Sequence, residues 1–295
     1  MGKKIGVLLL TAVISFAAGF WIYRLYETRH AAESISSAKT EPSRTPPPLS
    51  SPTESGASLS EPPTNKGAIA GEPTRFSPRT GEVLDFAANV TKLNSTVATL
   101  RVKVGERRSV AGKSALHLQA FAHTENPYRM VFELDDQFDS YSDATNLTSL
   151  QYELHLSERG QKVDTVERMI SSSKDPAPPD AVAARVLPGT RDPIGMLMYL
   201  RGVDWNQTRE VRSPVYDGHK LYDVRAALVS RSQNVTVTSG KYTATKIEIH
   251  VLDNGTEMKD AHFLLYISEN QERLPVLMEA VLPVATASVE LTKVH

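Results

Sequence analysis

Seven side chains carry the residue types and spacing that could do chemistry. Glu133, Asp135, Asp136, Asp139 and Asp143 crowd five carboxylates into a short stretch, and His117 and His123 lie just before them. Carboxylates at that density hold a hard cation or act as general acid and base, and histidine titrates near neutral pH and ligates metals. The cluster lacks the glycine and the terminal glutamate of a calcium loop. Its plain reading is a solvated strand-to-turn segment, with calcium binding as the alternative. His117 and His123 read as a solvated pair on one face of a strand, opposite Leu116 and Leu118, with an acid–base or metal role as the alternative. A hydrolase would have to run through Asp139, Asp143 or His123, and only their separation in space decides whether they can cooperate.

Other chemistry fails at the motif. Gly112-Lys113-Ser114 ends like a phosphate loop, but the required glycine five residues earlier is Arg107. There is no nucleophile elbow, and the eight histidines never take the spacing of a zinc-binding helix. With no cysteine in the chain, disulfides, thiolate nucleophiles, thiolate zinc sites and lipidated cysteine are all excluded. A formal charge of -1 argues against a nucleic-acid partner, which needs a clustered basic surface. No catalytic residue, metal ligand or cofactor is therefore assigned, and the ligand-binding residues stay unidentified. Six Asn-x-Ser/Thr sequons, at Asn89, Asn94, Asn146, Asn206, Asn234 and Asn254, would be glycan sites only in a eukaryotic source, and the lack of cysteine favours a bacterial one.

The elements that must position these residues are mostly strands. Alternation puts Ala98, Leu100, Val102 and Val104 on one face, then Leu116, Leu118, Ala120 and Ala122. The same period fits Met130, Phe132 and Leu134, then Leu150, Tyr152, Leu154 and Leu156. It returns in Tyr222–Leu228, Thr245–Val251 and Phe263–Ile267, with turns at Asp217-Gly218 and Asp253-Asn254-Gly255. Half-buried strands in series predict a mainly β fold, an antiparallel curved sheet or partly closed barrel. One helix interrupts them. Asp192 is placed to cap it and Pro193 to open it. Met196, Leu197, Leu200 and Val203 would form one apolar stripe that plugs or covers an end of the sheet.

Ahead of this domain, residues 31–79 carry Pro42, Pro46, Pro47, Pro48, Pro52, Pro62, Pro63, Pro73 and Pro78 among Ser, Thr and Glu. Such a segment cannot bury enough apolar surface to offset ordering, so it reads as a disordered linker, with a polyproline recognition site as the alternative. Residues 1–30 read as a transmembrane signal-anchor. Ile5, Leu8, Leu9, Leu10, Val13, Ile14, Phe16, Phe20, Trp21, Ile22 and Tyr23 belong to an uncharged run bounded by Lys4 and Arg24. At 1.5 Å per residue that run spans about 28 Å, close to the hydrocarbon thickness of a bilayer. A cleaved signal peptide with Ser15-Phe16-Ala17 at its site is the alternative. Lys3 and Lys4 favour a cytoplasmic N-terminus, against Arg24 and Arg29 partly offset by Glu27. Residues 80–295 then form a β-rich extracytoplasmic domain, on the periplasmic side in a bacterium, of a single-pass membrane protein.

Several short motifs of this domain resemble a family of exported bacterial proteins catalogued as domain of unknown function 3108. They are Gly81–Phe86, His117–Thr124, Phe138–Asp143, Asp192-Pro193 with Tyr199-Leu200-Arg201, Tyr216-Asp217-Gly218 and Arg273–Val276. The resemblance implies an envelope-directed, β-rich protein and brings no activity with it. The function expected is a non-enzymatic, membrane-anchored envelope protein that binds an apolar or amphipathic ligand or an envelope partner protein. Its partners would include the lipid bilayer but no nucleic acid. The alternative is an envelope hydrolase acting on polysaccharide or peptide.

Overall fold

The computed structural model describes residues 76–295 apart from 92, 94, 172–181, 185, 259–261 and 282–285. The anchor residues Ile5–Tyr23 and nearly all of the linker lie outside the described residues. Among the described residues no helix is long and apolar enough to cross a membrane. Phe76 and Pro78, linker residues by composition, pack on the domain: Pro78 is buried, and Phe76 lies 4.7 Å from the Arg201 guanidinium.

Among the described residues there are thirteen strands, built on alternating side chains, and one α-helix. They are β1 (Val83–Val90), β2 (Ser95–Val110), β3 (Lys113–Thr124), β4 (Asp135–Asp143), β5 (Ser149–Glu158), β6 (Gln161–Arg168), α1 (Pro193–Gly202), β7 (Glu210–Tyr216), β8 (Leu221–Val237), β9 (Gly240–Asp253), β10 (Thr256–Glu257), β11 (His262–Ser268), β12 (Pro275–Val281) and β13 (Thr286–Val294). All thirteen strands lie in one sheet ordered β6-β5-β4-β3-β2-β1-β13-β12-β11-β9-β8-β7, with β10 on β9. Every named strand pair is antiparallel. Two meanders are thus joined in the middle of the sheet by β1 and β13, which leaves β6 and β7 at the edges. The predicted Asn254-Gly255 turn is present, with both residues at positive φ of 48° and 79°.

The sheet curls without closing. The long β8–β9 hairpin passes irregularities near Ser230 and Ser232, and its tip returns to β13 through Ser239 N–H donating to Leu291 O. α1 belongs to the connection from β6 to β7. It packs on β3, β4 and β7. This corrects the expected one-sided stripe. Ile194, Gly195, Met196, Met198, Tyr199, Leu200, Arg201 and Gly202 are all buried, while Leu197 is only half-buried. A helix inserted into a curled sheet has no solvent face to reserve for polar groups. Its approach to β4 is close: a Cβ at Gly195 would lie 2.9 Å from Ser142 Oγ.

A second correction concerns Met130, Phe132 and Leu134. Tyr128–Met130 is a 3-10 turn, closed by Val131 N–H and Phe132 N–H donating to Tyr128 O, and Met130 is exposed. Phe132 and Leu134 are buried, but the strand begins only at Asp135.

Candidate functional site

Polar residues converge on both faces of the sheet. On the inner face, Thr190, Arg191 and Asp192 link the β7 edge to the start of β5. The Arg191 N–H donates to Pro214 O, and Arg191 O accepts from Tyr216 N–H, so this residue extends the β7 edge. On the other side Ser149 N–H donates to Thr190 O at the start of β5. The Asp192 carboxylate, wholly buried, accepts from Ile194 N–H and Gly195 N–H at 2.9 and 2.8 Å and from Ser140 Oγ at 2.6 Å. It also accepts from Ser149 Oγ. Burial raises its pKa despite these donors. The Arg191 guanidinium lies 3.7 Å from the centre of the Tyr199 ring and donates to Ser213 Oγ and Asn146 O, and its pKa is lowered by burial to about 10.

At the C-terminal end of α1, Arg201 is also fully buried. It forms a two-pronged pair with Glu82 at 2.6 and 3.0 Å and donates to Glu272 O and Arg273 O. Arg273 in turn donates to Arg201 O and Val203 O, satisfying carbonyls at the helix end. These contacts join the segments Gly81–Phe86, Phe138–Asp143, Asp192–Arg201 and Arg273–Val276. Their groups hold the two halves of the sheet around the helix.

Asp136 and Glu158 form a separate inward-facing pair. Burial pushes Asp136 up to about 6 and Glu158 to about 7, and a hydrogen bond couples them, so they retain a proton near neutral pH. Folded pKa values above the unfolded ones mean the native state binds more protons, so stability falls as pH rises between about 4 and about 7. Asp192 and Asp217, also raised by burial, act in the same direction. Asp85, Asp135, Asp139 and Glu269 are lowered and lose their contribution only at more acid pH. Thermal melts should therefore show a higher midpoint at pH 5 than at pH 8, a difference of roughly 2–3 kcal/mol at about 1.4 kcal/mol per pKa unit. Asp136→Asn should flatten part of it, and the double change Asp136→Asn with Glu158→Gln most of it. An unchanged pH profile in that variant would refute the assignment.

Asp136 apart, the sequence candidates separate into three places on the outer face. His123 is exposed and bonds to Asp135, which Arg129 clamps together with Glu133. Asp143 accepts from Thr145 N–H at 2.8 Å and fixes a turn. Asp139, four residues from both Asp135 and Asp143, stands about 13 Å along the strand from each. Asp139, Asp143 and His123 therefore do not converge. The solvated readings also need correction: Asp136 and Asp139 are buried, and His117 is largely covered. Asp136 turns to the inner face, while neighbouring strands close over Asp139.

The group that does converge spans β3 to β6. His117 Nε2 donates to Asp139 Oδ1 at 2.5 Å, and its ring stacks on Tyr141 at 4.6 Å. A Cβ at Gly105, in the β2 irregularity, would press on the same ring at 3.3 Å from Nδ1. Gln119 and Gln137 also donate to Asp139, at 2.8 and 2.6 Å. Burial works to raise the Asp139 pKa, but the three donors His117, Gln137 and Gln119 hold it below the usual range. From β5, Glu153 stands directly opposite Asp139, and His155 lies on the same face. His155 Nδ1 donates to Asp164 Oδ1 on β6 at 2.7 Å, and that bond, with Glu153 and Asp139 nearby, raises its pKa despite partial burial. Asp139, Glu153 and His155 each offer a ligand atom, all within 4.8 Å of one another. Both imidazoles of this group bond to carboxylates, and among the described residues neither contacts a hydroxyl nucleophile. Glu153 and His155 escaped the sequence reading. Their only signal was their place as the polar partners of Tyr152, Leu154 and Leu156 along β5.

The family described as "Protein of unknown function (DUF3108)" matches residues 85–292. No curated protein matches the chain. Among solved structures it is similar to a beta-barrel-like protein of domain of unknown function DUF1849 from Brucella abortus, at 11% identity and a TM-score of 0.47, covering 74% of this chain and 98% of that one. It is also similar to a protein from Bacteroides fragilis described as exported, with a YmcC-like fold, at 10% identity and a TM-score of 0.35, covering 76% and 99%. A protein from Parabacteroides distasonis described as a lipoprotein is similar at 12% identity and a TM-score of 0.35, covering 76% and 99%.

Proposed function

The chain belongs to the DUF3108 family of proteins of unknown function, and we propose that it is a membrane-tethered, extracytoplasmic binding module without enzymatic activity that takes an extended segment of an envelope protein along strand β6. The bilayer holds it through Ile5–Tyr23, and the proline-rich linker lets the domain reach a partner away from the membrane plane.

One observation carries this reading. β6 is an edge strand exposed on both faces: Val163 opposes Leu156 on the inner side and is 51% exposed, and Val166 opposes Glu153 on the outer side and is 59% exposed. Among the described strands it pairs with β5 alone. The other edge is blocked, because β7 carries Pro214 and the bridging Arg191. An added strand at β6 would gain backbone hydrogen bonds and cover both valines. The inner face offers an enclosed apolar ligand less, since Met198, Leu200, Phe86, Leu118 and Tyr152 pack there as one core. A hydrolytic role is not favoured, because its three candidate residues lie apart.

A photo-crosslinking residue placed at Val163 or Val166 of the full chain in its own envelope is expected to give a discrete protein adduct. The same probe at Thr236, exposed on β8, should give none. Adducts of equal yield at all three positions, or at none, would defeat the reading.

A further inference from the structure

We propose that the outer face of β4 and β5 is a site for one divalent first-row transition-metal ion, held by Asp139, Glu153 and His155. Such a site requires no partner at β6.

Electrostatics calls for a cation there. Asp139 and Glu153 are register partners on neighbouring strands, a like-charge pairing that costs stability unless something positive lies between. Asp139 is 3% exposed, so water screens it poorly. Among the described residues no lysine or arginine forms an ion pair with Asp139, Glu153 or Asp164; their ion pairs run to His117 and His155. A divalent cation supplies the missing charge.

The geometry suits a single ion. Each ligand has one atom tied back and another turned toward the same space. Asp139 Oδ1 is held by His117 and Gln119, while Oδ2 accepts only from Gln137 and keeps a second lone pair. Glu153 Oε1 accepts from Gln151 Nε2 at 2.5 Å, which leaves Oε2. His155 Nδ1 carries the hydrogen given to Asp164, so a metal ion that displaces the second ring proton meets the Nε2 lone pair, the carboxylate–histidine arrangement that supports metal ligands. His155 Nε2 lies 3.5 Å from Glu153 Oε2 and 3.9 Å from Asp139 Oδ2. Ligands about 2.0–2.2 Å from a tetrahedral ion sit about 3.4 Å apart, so His155 is already close to ligand spacing from both carboxylates, and all three ligand atoms lie within 4.8 Å of one another.

The donor set names the ion class. One imidazole nitrogen with two carboxylate oxygens suits zinc and its neighbours, whereas magnesium and calcium take oxygen ligands alone. Three protein ligands leave a fourth position for water or an incoming group, and His155, partly exposed, lies on the solvent side.

Zinc titration of the full-length, chelator-stripped chain in detergent, read against a chromophoric competitor, tests this. One equivalent should bind and raise the melting midpoint. His155→Ala and Glu153→Gln should each weaken binding at least tenfold, and Asp164→Asn by about 10–100-fold. His250→Ala should change nothing, although His250 also sits among carboxylates, Glu248 and Glu257. Millimolar calcium or magnesium should not displace the ion. Should His155→Ala fail to fold, Glu153→Gln decides between the outcomes by itself. Absence of stoichiometric zinc, undiminished binding in Glu153→Gln, displacement by calcium or magnesium, or loss of binding in His250→Ala would overturn the proposal.

Discussion

Asp192→Ala is expected to lower the stability of the domain by about 3–5 kcal/mol, as measured by the urea midpoint of the purified chain. The substitution strands two N–H groups at the start of α1 and takes one acceptor from each of two serine hydroxyls, of which Ser140 Oγ keeps Ser142 Oγ and Ser149 Oγ keeps the N–H of residue 192. Each orphaned buried group costs about 1–3 kcal/mol, and loss of the cap alone about 1. Removing a desolvated charge returns part of this, which keeps the net below the sum. Asp192→Asn retains an acceptor for the helix N–H groups and should recover roughly half. An Asp192→Ala midpoint equal to wild type would show that α1 does not need this carboxylate to stay fixed to β4 and β5.

Leu200→Ala should cost about 2–5 kcal/mol, because Leu200 is 1% exposed and its removal opens a cavity between helix and sheet. Arg101→Ala provides the contrast. Its guanidinium pairs with Asp85 but is mostly in water, so the change should stay within about 0.5 kcal/mol. The pair of variants also separates two roles for α1. A lid over a binding cavity would tolerate Leu200→Ala with an unchanged denaturation midpoint, whereas a core element would not.

The strands that could be read from the sequence are those with one apolar and one polar face, such as β3 with Leu116, Leu118, Ala120 and Ala122 inward. β4 hid because its inward positions include Asp136, Ser140 and Ser142, which alternation reads as surface. Those polar residues point inward to meet Glu158 and Asp192, partners remote in sequence. The cap of α1 was legible, since a cap is a local arrangement. The burial of Arg201 was not, because Glu82, its partner, lies 119 positions away. The outer cluster failed for a related reason. The register that sets Asp139 against Glu153 depends on an irregularity between Tyr141 and Ser142, and no local pattern marks it.

The pairing of β1 with β13 has a consequence for how the molecule comes into being. Val83 O accepts from His295 N–H, and the Asp85 backbone O accepts from the Thr292 hydroxyl, across more than 200 residues. A chain emerging from the ribosome therefore makes β1 before the other strands, and must wait for β13 before that strand acquires its second neighbour. In the interval both meanders expose an unfinished border in what will become the centre of the sheet. Contacts of such long loop closure form slowly, and half-made sheets with open borders are the species that aggregate. Shielding of the nascent protein is thus needed until β13 has been made, and a chain that lacks this strand would be left permanently in that vulnerable state.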